Sequence, residues 1–156
     1  MATTTDAAKL ERAITLTRRF AAPRALVFRA LTDPEHLMRW WGPNGFTTPE
    51  CTIDLRVGGA MRIVMQGFDG GRFPMTAVID ALNPPERLGY AFEAYIDAGG
   101  PAVRGHNLIV LSEVDGHTEL RLIARGEGLR PEAAFMLQGM KPGWSQSLER
   151  LAALFV

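Results

Sequence analysis

Apolar and polar residues alternate at Ile14, Leu16 and, after a break, Phe20, which predicts a half-buried first strand over residues 14–20. The period then lengthens. Pro23 suits a first helical position, where its missing N–H costs nothing, and Val27, Phe28 and Leu31 follow at helical spacing. Thr32-Asp33-Pro34 predicts a second short helix, with Asp33 as N-cap, Pro34 at the first position and Glu35 near the positive end of the helix dipole. It ends near Trp40, because Gly42 fits a left-handed cap and Pro43 follows it.

From there to residue 125 the period is two. Cys51, Ile53 and Leu55 share one face, and Met61, Ile63 and Met65 share one face of the next strand; Gly58-Gly59 and Asp69-Gly70-Gly71 turn the chain. Phe73 to Leu82 follows, closed by Asn83-Pro84-Pro85, and then Leu88, Tyr90 and Phe92 alternate with Gly89, Ala91 and Glu93. The last pair is the clearest: Val103 to Val114, the two-residue turn Asp115-Gly116, and His117 to Ala124. Every link is too short for a parallel crossover, so the strands form an antiparallel meander.

After Leu129-Arg130-Pro131 the period changes to 3.6. At about 100° per residue, Leu137, Met140, Trp144, Leu148, Leu151 and Phe155 fall in a stripe about 80° wide, the core-facing side of a helix. Gly139, Pro142 and Gly143 interrupt it, which predicts a kink near Gly139 or a short helix followed by a longer one. The fold class is therefore α+β: a curved seven-stranded antiparallel sheet with two short helices after strand 1. A C-terminal helix of ~25 residues, about 37 Å long, fills the concave face.

Composition narrows the function classes. With 156 residues the chain is expected to hold a flexible N-terminal tail over 1–13 and one domain over 14–156. Seventeen basic and seventeen acidic residues cancel, so the electrostatic footprint of a nucleic-acid binder is missing. One cysteine, Cys51, cannot form an internal disulfide, and a reducing cytoplasmic setting is expected. The first residues lack the basic, apolar and cleavage-site regions of a signal peptide, and the longest aliphatic run, Leu108-Ile109-Val110-Leu111, is far short of a membrane span.

No reactive cluster emerges from the pattern. His36, His106 and His117 stand at no metal-ligand spacing, and there is no phosphate loop, dinucleotide fingerprint or nucleophile elbow, so neither metal nor cofactor is expected. Gly67 to Gly71 lies between strands, so its glycines are turn glycines. Cys51 shares its face with Ile53 and Leu55 and reads as a buried inert thiol. Glu93, Asp80 and Asp97 lie on the parity opposite to Phe92, Ile79 and Ile96, which leaves no catalytic acid or base.

What the chain has instead is soft apolar bulk, in Met61, Met65, Met75, Met136, Met140, Trp40, Trp41, Trp144, Phe46 and Phe92. Methionine fills irregular cores and also favours surfaces that bind varied apolar groups. Such residues fit a packed core as well as the lining of an apolar cavity between sheet and helix. Parity places Leu120 and Leu122 toward the helix with Glu119 and Arg121 outward, and puts Asn107 on the face of Ile109 and Leu111, opposite His106.

The ordered motifs Phe20-Ala21-Ala22-Pro23-Arg24, Thr32-Asp33-Pro34-Glu35, Trp40-Trp41-Gly42-Pro43, Gly45-Phe46, Asp54-Leu55-Arg56, Gly58-Gly59, Asp69-Gly70, Pro84-Pro85-Glu86-Arg87-Leu88 and Gly143-Trp144 resemble a known family. It comprises bacterial single-domain proteins similar to the C-terminal domain of the heat-shock-protein-90 ATPase activator. They belong to the START-like helix-grip superfamily, which includes polyketide cyclases. The resemblance covers roughly residues 14–155 and implies the helix-grip fold. Ala81 departs from the acidic residue common in the family, which weakens any role for a carboxylate there.

Three functional readings follow, in order of rank. The first is binding of a small apolar or aromatic molecule in a cavity lined by Trp41, Phe46, Met61, Ile63, Met65, Met75, Phe92, Met140 and Trp144, with Asn107 orienting a polar group. The second, implied by the resemblance, is a chaperone-associated, stress-related partner module. The third is a cyclase- or hydrolase-type enzyme using the same cavity. Neither a nucleic acid nor a membrane is expected as partner, and the chain is a monomer or a homodimer.

Overall fold

A computed structural model describes residues 10–155. Strand β1 (Glu11–Phe20) is followed by helices α1 (Arg24–Thr32) and α2 (Pro34–Trp40). Six strands come next: β2 (Phe46–Ile53), β3 (Ala60–Gly67), β4 (Arg72–Asn83), β5 (Arg87–Ala94), β6 (Val103–Val114) and β7 (His117–Gly128). Helices α3 (Ala133–Gln138) and α4 (Met140–Ala153) end the chain. The sheet runs β1-β7-β6-β5-β4-β3-β2, all antiparallel, so the meander closes with β1 against the last strand. No helix among the described residues is long and apolar enough to cross a membrane.

Several boundaries differ from the sequence expectation, each for a local reason. β1 begins at Glu11, where it pairs with Glu127, so residues 11–13 belong to the sheet; the remainder of the expected tail lies outside the described residues. β7 likewise runs on to Gly128, because β1 and β6 flank it along its whole length. Pro23 is the N-cap of α1, in extended conformation (φ −68°, ψ 152°), rather than its first residue. Leu55 lies beyond β2, exposed in the turn, where Arg56 Nε donates to Asp54 Oδ2 at 2.8 Å.

The expected caps hold where side-chain chemistry supplied them. Asp33 accepts the Glu35 N–H at 3.0 Å, Gly42 adopts φ +107° just beyond α2, and Asp115 and Gly116 take φ +53° and +77° in the β6–β7 hairpin. The C-terminal helical stretch is divided as its sequence predicts, a short helix followed by a longer one, separated at Gly139. Pro142 is the third residue of α4, where the N–H has no intrahelical acceptor, so α4 starts afresh and spans about 21 Å.

Parity along the strands sets the core. Leu120, Leu122 and Ala124 of β7, Ile109 and Leu111 of β6, Leu88 and Tyr90 of β5 and Ile79 of β4 are all buried on one face. Leu148 and Leu151 of α4 join them there, together with Phe28 and Leu31 of α1 and Leu37 and Trp40 of α2. A second, smaller cluster gathers Ala102, Val103, Ala133 and Leu137 under α3.

Glycines explain how α3 comes so close to the sheet. Gly105 and Gly126 oppose each other across β6 and β7 on the inner face, with Gly128 two residues on. A Cβ on Gly126 would stand 3.0 Å from Leu137 Cδ2 and 3.2 Å from the Met140 sulfur, and one on Gly128 would stand 3.0 Å from Ala133 Cβ. A Cβ on Gly105 would collide with the Arg125 carbonyl oxygen and come within 2.8 Å of the Phe92 ring. Gly126 and Gly128 form a seat without side chains on which α3 and the start of α4 rest, while Gly105 leaves room for the Phe92 ring.

Candidate functional site

Between the two buried clusters the packing leaves a cavity of about 380 Å³. The sheet supplies its floor. Met65 of β3 pairs with Phe73 of β4, Met75 of β4 with Ala94 of β5, and Phe92 of β5 with Gly105 of β6, so these side chains share the inner face. Asn107 lies one inner-face position along β6 from Gly105. The helices supply the roof, through Phe135 and Met136 of α3 and Met140 and Trp144 of α4. Trp41, Gly42, Pro43 and Phe46 close the side after α2.

The aromatic wall is held in fixed geometry. Trp41 and Trp144 meet edge to face with centroids 5.2 Å apart, and buried Trp40 backs both at 5.6 and 6.4 Å. Phe46 and Phe73 form a second edge-to-face pair at 5.8 Å. The loop carrying Trp41 and Phe46 is clamped to α4 by hydrogen bonds. Gly42 N–H donates to Ser147 Oγ at 3.0 Å, and Asn44 N–H donates to Gln146 Oε1 at 2.9 Å. The Arg150 guanidinium donates to the carbonyls of Gly42 at 3.0 Å and Phe46 at 3.3 Å. These carbonyls cluster at the C-terminal end of α2, where the helix dipole favours a cation.

The electrostatics of the cavity are as plain as its shape. No charged side chain stands among the described residues that line it. Ser147 is satisfied, since its hydroxyl also donates to the Gly143 carbonyl at 2.9 Å. Asn107, 3% exposed, donates through Nδ2 to the Tyr90 hydroxyl at 3.3 Å, while its Oδ1 is buried with no partner. Burial drives the Tyr90 phenol well above its usual pKa, outweighing the opposite pull of the Asn107 hydrogen bond, so the phenol stays neutral. Cys51 also faces inward, and burial pushes its thiol up to about 11, the state of an inert thiol.

Of the ten residues expected from sequence to line a cavity, the structure brings eight together: Trp41, Phe46, Met65, Met75, Phe92, Asn107, Met140 and Trp144. Met61 and Ile63 share the correct face but sit farther along β3, 2% and 0% exposed, in the core that also holds Leu37 and Trp40. Phe73 was legible by parity, as the cross-strand partner of Met65. Phe135 and Gly42 carried no such signal: the one lies off the apolar stripe of its helix, and the other reads only as a cap.

The opposite face of the sheet carries a larger depression, of about 600 Å³, lined by Arg104, His106, Arg125 and Glu127 among others. Two of its charged or titratable groups are engaged with neighbours. His106 Nε2 lies 2.9 Å from Asp80 Oδ2, and Arg104 lies 3.4 Å from Glu93. It is a polar surface, lined mostly by charged side chains and glycines, without the apolar walls that hold an apolar molecule.

The wall of aromatics and methionines beneath a broken C-terminal helix can be set beside known proteins. A family model for "activator of Hsp90 ATPase homolog 1-like protein" matches residues 21–156. The chain belongs to this family. A structure from Chromobacterium violaceum is similar at 30% identity, covering 92% of this chain and 97% of that one, with a TM-score of 0.74. One from Nitrosomonas europaea is similar at 28% identity over 91% and 92% of the two chains, with a TM-score of 0.72. The AHSA1 protein of Silicibacter pomeroyi is similar at 27% identity over 92% and 96%, also with a TM-score of 0.72. No curated protein matches the chain. Family membership agrees with the resemblance read from the sequence motifs and covers both β-sheet and C-terminal helices.

Proposed function

We propose that the protein binds a small apolar or aromatic molecule in the cavity between sheet and C-terminal helices. The observation that carries this reading is a half-open space of about 380 Å³ whose walls are mainly Trp, Phe and Met and contain no charged group. That volume lies in the range of ordinary small-molecule sites. Burying apolar surface contributes roughly 25 cal/mol per Å², so the wall itself supplies the affinity and no reactive residue is required. The role is sequestration or carriage rather than turnover.

The chaperone-associated reading finds less support in the surface. The most exposed large apolar residues among those described, Phe68, Val57, Phe135, Val114, Val78 and Leu26, come from six different helices, strands or turns, so no single element presents an apolar docking stripe. Thermal denaturation with saturating naphthalene or indole tests the cavity reading. A ligand at a hundred times its Kd adds about 2.7 kcal/mol, and the midpoint is expected to rise by roughly 5–11 °C for a domain of this size. No shift with either aromatic would remove it.

A further inference from the structure

The chemistry of the buried amide specifies the ligand further, given the cavity reading above. We infer that the cavity selects a neutral aromatic molecule bearing a hydroxyl group, whose hydroxyl completes the hydrogen bonding of the Asn107–Tyr90 pair, and that it rejects carboxylates.

Asn107 is the only polar side chain of the lining, among the described residues, that carries an unpartnered atom. It stands on β6 at the floor of the cavity, directly across from Tyr90 on β5. The amide brings one acceptor with two lone pairs and two N–H donors, and the phenol brings one donor and its lone pairs. A single bond of 3.3 Å between them leaves capacity unused at both ends. Rotating the amide half a turn about χ2 exchanges its oxygen and nitrogen, so that Tyr90 donates to Oδ1 and an N–H is left free instead. In either arrangement one buried amide atom lacks a partner, and leaving it so is costly.

A hydroxyl donates and accepts, so it fits both arrangements. A carboxylate only accepts, and it would bring a full negative charge into a wall with no cation to meet it. The Arg150 guanidinium, which is not among the lining residues, is occupied by the main-chain carbonyls of Gly42 and Phe46. The remaining surface favours a flat ring. Four methionines, Met65, Met75, Met136 and Met140, face the cavity alongside six aromatic rings, and sulfur packs well at ring edges.

Equilibrium dialysis of the intact chain against naphthalene, 2-naphthol and 2-naphthoate separates this inference from the cavity reading itself. We expect 2-naphthol to bind about tenfold tighter than naphthalene, and 2-naphthoate at least a hundredfold more weakly than 2-naphthol. A cavity without a free polar atom would give the opposite order for the neutral pair, because the hydroxyl would lose its water without replacement. In Asn107→Leu the preference for 2-naphthol is expected to vanish while naphthalene still binds. Should that variant fail to fold, the ligand series on the unaltered chain decides alone. Equal binding of naphthalene and 2-naphthol, or strong binding of 2-naphthoate, overturns the inference and leaves the cavity reading standing; no binding of any of the three overturns both.

Discussion

Replacing Trp40 with alanine is expected to cost about 3–5 kcal/mol of stability, a large share of the ~5–15 kcal/mol that holds a domain folded. The side chain is fully buried and touches both Trp41 and Trp144, so its removal leaves a void that rigid neighbours cannot fill. Its indole N–H also donates to the Ala30 carbonyl at 2.8 Å, one of the orphan carbonyls at the end of α1. That carbonyl would be left buried and unpaired, at a further cost of roughly 1–3 kcal/mol. Denaturant titration of Trp40→Ala and Trp40→Phe separates the two contributions, since phenylalanine restores most of the volume but not the hydrogen bond. A loss below ~1 kcal/mol for Trp40→Ala would mean that Trp41 and Trp144 are not braced from behind, and the rigid cavity wall would have to be abandoned.

Met65→Trp is expected to empty the protein of binding capacity while leaving it folded. Met65 is half-buried in the cavity wall, beside Phe73 and close to Gly42, where an added Cβ would lie 3.3 Å from its sulfur. An indole at this position projects into open space rather than into packed side chains, so the stability change is expected to stay within about 1 kcal/mol. Affinity for naphthalene is expected to fall at least a hundredfold, about 2.7 kcal/mol, because the ligand and the indole compete for one volume. Dialysis beside a thermal melt makes the comparison. An unchanged affinity in a folded Met65→Trp protein would place the ligand somewhere other than this cavity.

Much of this architecture is legible in the residues. Strict alternation over Met61-Ile63-Met65 and Leu88-Tyr90-Phe92, punctuated by turns with φ > 0 at Gly70 and Asp115-Gly116, leaves a meander as the economical solution. The same alternation places Met75, Phe92 and Asn107 on the inner face, because side-chain direction in a strand is fixed by parity. Parity does not say how far along a strand the cover extends. Met61 and Ile63 share a face with Met65, yet the first two are buried in the main core and the third lies on the cavity wall.

The seat of α3 was hidden for a different reason. Gly126 and Gly128 are strand residues whose missing side chains make room for a helix, and in a sequence they are indistinguishable from glycines that make a turn. The break follows from Gly139 and Pro142, as the pattern predicts, whereas the cavity that Gly139 and Met140 line at the junction leaves no mark in the apolar stripe. The cavity thus lies beneath a broken helix and is walled by a row of large flexible side chains.

The most direct measurement of the central claim is the map of amide and indole N–H chemical shifts on titration with 2-naphthol. Binding in the cavity predicts that the indoles of Trp41 and Trp144 and the amides of Phe92, Asn107 and Met140 move together and saturate, while Arg104, His106 and Arg125 on the opposite face stay still. Shifts confined to that outer face, or none at saturating ligand, would contradict it.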